Sequence, residues 1–97
     1  MKNWNLKDYT ESIIAVYEKR GGKVHPDITL DIFRLIEGDP DLLREYHSMK
    51  EGFPGINPTM GRMIRAHYDL VNEKSVVVSS TQCKLIKNYM RFRRTTK

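Results

Sequence analysis

A single cysteine, Cys83, stands among the 97 residues. No internal disulfide can therefore brace the fold, and a reducing compartment, the cytoplasm, is the expected setting. No apolar run approaches the roughly 18–20 residues that a membrane span requires. No apolar signal core follows Met1-Lys2-Asn3-Trp4-Asn5. Repeats and low-complexity segments are missing as well. The scarcest commodity is negative charge in the second half of the chain. After Glu73 there is no Asp or Glu at all, while Lys74, Lys84, Lys87, Arg91, Arg93, Arg94 and Lys97 follow.

What is present fits one small globular domain covering residues 1–97. A chain of this length buries roughly two-thirds of its unfolded surface, enough for one core. Nine aromatic residues argue against disorder. The net charge of +5 is unevenly spread: residues 1–51 carry −2 and residues 52–97 carry +7. An asymmetry of this kind points to a polyanionic partner for one end of the molecule.

Helix punctuation is dense. Asn5 caps a first helix that Gly21-Gly22 ends, with Leu6, Tyr9, Ile13, Ile14 and Tyr17 on one face. A second helix follows His25-Pro26-Asp27. Its wide stripe of Ile28, Ile32, Phe33, Leu35 and Ile36 predicts the most buried helix, and Gly38 stops it. Asp39-Pro40-Asp41 supplies an N-cap, a proline at the first helical position and an acid in the first turn of a third helix running to Gly52. Phe53 and Ile56 are expected to plug the following loop into the core. Asn57-Pro58 repeats the cap-then-proline signal for a fourth helix ending near Leu70, with Met60, Met63, Ile64, His67 and Val71 on its apolar face. Gly61 inside that helix suits a close helix crossing or a close ligand approach, the crossing being the expectation.

Residues 72–80 break the helical pattern. Val76-Val77-Val78 reads as an extended linker or one arm of a small hairpin, although a lone strand needs a partner. Ser79 with Gln82 matches a capping box, which predicts a fifth helix from about Ser80 to Arg93. The expected fold is mostly α: a compact bundle of about five helices with a short extended or hairpin segment near residues 72–80.

The fifth helix carries the functional expectation. At 100° per residue, Lys84, Lys87, Arg91 and Arg94 fall within about 80° of one another. Leu85, Ile86, Tyr89 and Phe92 lie opposite. Like charges at these spacings destabilise a helix by roughly 0.2–0.5 kcal/mol per pair, and a phosphate backbone would convert that repulsion into attraction. Arg62 and Arg65, on the polar side of the fourth helix, extend the patch. Helix, extended segment and basic helix loosely resemble helix-turn-helix or winged architectures, but the intervening segment is too long for a simple turn. The third helix bears Asp39, Asp41 and Glu45, which DNA would repel.

Catalytic and metal signatures are not visible. His25, His47 and His67 lack a second ligand at helical spacing. Cys83, at a helix start near Lys84 and Lys87, has the setting of a lowered thiol pKa, but no base accompanies it. A small, partly buried role is expected for it. Trp4 is expected to cover the edge of the core.

The reading is a small non-enzymatic binding module without cofactor. Its expected partner is nucleic acid, DNA or RNA, held by Lys84, Lys87, Arg91, Arg94, Arg62 and Arg65. The alternative is a protein-interaction module, a small inhibitor, adaptor or antitoxin-like protein, docking on an acidic partner surface. The opposite charges of its two ends would also let it pair head to tail as a homo-oligomer. No membrane partner is expected.

Overall fold

The computed structural model describes residues 5–95; Trp4 lies outside them. Among the described residues there are four α-helices, α1 (Leu6–Lys19), α2 (Ile28–Gly38), α3 (Pro40–Gly52) and α4 (Ile56–His67). An antiparallel hairpin of β1 (Leu70–Val77) and β2 (Asn88–Arg94) completes the fold. None of these helices is long and apolar enough to cross a membrane.

The expected stop and start signals act locally. The Asn5 side chain accepts a hydrogen bond from the Asp8 amide at 2.7 Å, and α1 closes on a paired turn. There the Gly22 amide reaches the Tyr17 carbonyl and the Gly21 amide the Glu18 carbonyl. Gly21, at φ 89°, occupies the left-handed position that this ending requires. Asp39 caps α3 through the amides of Asp41 and Leu42, and its other carboxylate oxygen meets Arg20 at 2.8 Å. That guanidinium, seconded by the cap bonds, holds the Asp39 carboxyl below the usual carboxylate range.

The core forms where the apolar faces of α1, α2 and α4 meet the hairpin. It takes Tyr9, Ile13 and Ile14 from α1, Ile28, Ile32, Phe33 and Ile36 from α2, and Ile56, Met60 and Ile64 from α4. From α3 only Tyr46 is fully buried.

Several expectations need correction. The fourth helix starts two residues earlier, at Ile56 after Gly55, and stops at His67, and the Asn57 side chain does not cap it. Phe53 is exposed, and Ile56 alone plugs the loop. His67 is exposed rather than on the buried face. An added Cβ at Gly61 would meet nothing within 4 Å, so no close helix crossing occurs there.

The largest correction concerns residues 80–93, which do not form a fifth helix. Only half of the Ser79 capping box forms: the Ser79 amide donates to Gln82 Oε1, while the amides of Gln82 and Cys83 turn back to the Ser79 carbonyl and not to its hydroxyl. One turn later the chain straightens, because Asn88–Arg94 supplies the partner that the valine run needs. The register runs from Val77 opposite Asn88 to Leu70 opposite Arg94, with a bulge at Glu73. Leu85, Ile86, Tyr89 and Phe92 satisfy a helical repeat on paper. In the fold Ile86 closes the loop onto the core, and Tyr89 and Phe92 are buried along the strand.

Candidate polyanion-binding groove

Without a fifth helix, the six cations expected to act together separate into two groups. Arg91 leaves the set. Its guanidinium bridges Asp27 at 3.2 Å and Glu73 at 2.8 Å, tying the start of α2 to both strands. The Tyr89 hydroxyl donates to the same Asp27 oxygen at 2.6 Å. Burial, then the Asp27 carboxylate, pushes the Tyr89 phenol up to about 12. Arg91 is thus neutralised within a structural cluster. Arg94 is exposed at the far end of β2, opposite Leu70.

The other four, Arg62, Arg65, Lys84 and Lys87, line one groove of about 640 Å³. Lys50, at the last turn of α3, joins them. The α4 wall follows from helical spacing: Pro58, Gly61, Arg62 and Arg65 recur every three to four residues and share a face. The opposite wall is the segment Lys84–Asn88, and Thr29, Phe33 and Phe92 line the groove from α2 and β2. Asn57, Asn72, Ser75 and Asn88 add neutral polar groups.

No Asp or Glu among the described residues lines this groove. Among the described residues, none of its five cations takes part in an ion pair; those pairs use Arg20, His25, Arg44 and Arg91. Arg62 bonds only the neutral Thr59 hydroxyl, and the Lys50 ammonium stands 6.0 Å from the Tyr46 ring centre. The groove therefore presents unscreened positive charge in a concave setting, where field lines converge.

The loop that carries Lys84 and Lys87 is held from several sides. The Lys84 amide donates to Glu37 Oε2 at 3.0 Å. Asn57 accepts from the Tyr46 hydroxyl at 2.6 Å and donates to the Leu85 carbonyl at 2.8 Å. The Val78 amide closes the loop on the Lys87 carbonyl at 2.9 Å. Cys83 and Ile86 are driven into the core beneath it. Burial raises the Cys83 thiol pKa, the reverse of a reactive thiolate. Two lysines on a ten-residue connection are thereby fixed in place before any ligand arrives, which lowers the entropic cost of binding.

Asn57 and Glu37 were not legible as loop anchors, because Asn57 also reads as a cap and the contact of Glu37 with Lys84 spans 47 residues. Lys50 was equally illegible as a groove residue, because a cation in the last turn of a helix is already explained by the dipole. No protein-family model matches the chain, and neither a curated protein nor a solved structure matches it.

Proposed function

We propose that this chain is a nucleic-acid-binding module whose contact surface is the groove between α4 and the hairpin loop. The observation that carries the reading is the lining itself: among the described residues it holds five cations, no carboxylate, and no internal ion pair to be broken on binding. Neutralising phosphates at such a site releases condensed counterions, so affinity falls steeply with salt. The contributing residues are Lys84, Lys87, Arg62, Arg65 and Lys50. Arg91 supports the hairpin instead.

The test is a fluorescence anisotropy titration of labelled oligonucleotides at several salt concentrations. Four or five phosphate contacts predict a log–log slope of about −3 to −4. The double variant Lys84→Glu, Lys87→Glu should keep its thermal midpoint and lose most of its affinity, since neither side chain is engaged in an ion pair among the described residues. Polyglutamate serves as the competing polyanion. Equal affinity for it at matched salt would move the reading to an acidic protein partner.

A further inference from the structure

The groove is layered, and the layering is informative about its occupant. Lys50, Arg62, Lys84 and Lys87 are exposed along its rim. Of its apolar lining, Leu85 and Met90 are half-buried, and Phe33 and Phe92 are almost wholly buried. Within this apolar lining sits one hydroxyl without a partner. Thr29 is 3% exposed, and its Oγ1 forms no hydrogen bond. A buried hydroxyl left unpaired is destabilising, and a valine of the same shape would avoid that cost. Gly61 keeps the α4 wall open, with nothing within 4 Å of where a Cβ would stand.

From this layering, and resting on the nucleic-acid reading above, we infer that the groove takes single-stranded nucleic acid, with an unpaired base inserted and its flanking phosphates on the cationic rim. A duplex offers phosphates but keeps its bases stacked and paired, so nothing of it can reach Thr29. An unpaired nucleotide offers both parts: a flat body with apolar faces for the Leu85–Met90 layer, and ring and exocyclic acceptors for the Thr29 hydroxyl. A volume of about 640 Å³ falls within the span of about 300–1,000 Å³ typical of small-molecule sites. The walls add side-chain amides at Asn72 and Asn88, groups able to donate to and accept from a base edge.

Anisotropy with short labelled oligodeoxyuridylate, oligouridylate and a duplex of equal length tests this, using the full chain and three variants. Unaltered protein should bind the single strands at least about tenfold more tightly than the duplex. The two single strands separate DNA from RNA, whose 2′-hydroxyl is the distinguishing group. Thr29→Val should weaken single-strand binding by about five- to tenfold, the worth of one hydrogen bond to the ligand, without lowering the thermal midpoint. Thr29→Ser should restore the affinity, which a purely structural role of the side chain would not do. Lys84→Glu should weaken single strands and duplex alike. Equal affinity for single strands and duplex, or Thr29→Val binding like the unaltered protein, would overturn the inserted base; sensitivity to Lys84→Glu in the same experiment would leave the cationic groove standing. Binding to no oligonucleotide at all would overturn both.

Discussion

At Gly22 an added Cβ would stand 2.5 Å from the Tyr17 ring, whose hydroxyl bonds the Lys23 carbonyl across that backbone. Gly22→Ala should therefore cost about 1–3 kcal/mol in denaturant unfolding, as overpacking does. Gly61→Ala should act in the opposite direction, raising stability by about 0.5–1 kcal/mol, because helix propensity improves and nothing stands in the way. Asp39 gives a pH signature. Its folded pKa is lowered, chiefly by Arg20, so the ionised form is the stabilising one. That contribution is present above the ordinary carboxylate range and disappears as pH falls through the lowered folded value. Asp39→Asn keeps an N-cap side chain but not the charge, so thermal melts of this variant should fall less between neutral and acid pH. An unchanged acid slope would remove Asp39 from the account.

Elements with unambiguous local chemistry were legible in the chain. Asn5, Gly21-Gly22 and Asp39-Pro40 mark their helix ends without reference to anything distant. The segment 80–93 was not, because its residues satisfy two repeats at once. A capping box and apolar residues three and four apart favour a helix, and only the unpartnered Val76–Val78 run points elsewhere. The pairing of β1 with β2 settles the competition, and it is a long-range fact. The same limit hid Asn57, whose side chain serves Tyr46 and Leu85 instead of its own helix. Asn57→Ala should cost about 1–3 kcal/mol, since it strands the buried Tyr46 hydroxyl. It should also loosen the Lys84–Lys87 loop, seen as faster amide exchange at Lys84–Lys87 than in the helices. Arg91→Ala should lower the thermal midpoint while leaving the salt dependence of oligonucleotide binding unchanged, because its charge is already spent on Asp27 and Glu73.

For the molecule as a whole, the charge asymmetry visible in the chain acquires a shape. Acids of the first half cap α3 through Asp39, hold Arg91 through Asp27 and anchor the loop through Glu37, while cations from three separate elements, unpaired among the described residues, line one groove. Four of the six cations singled out from the sequence line it, although the helix expected to align them does not exist. Lys50 and Thr29 join only through tertiary packing, which composition cannot show. The central claim concerns where a nucleic acid sits, so an amide chemical-shift titration of the labelled protein with a short single-stranded oligonucleotide tests it most directly. The account predicts shifts concentrated at Asn57–Arg65 and Lys84–Met90, with α1 and the Arg93–Arg94 end of β2 undisturbed. Shifts centred on Arg93, Arg94 or the acidic face of α3, with the groove silent, would contradict it.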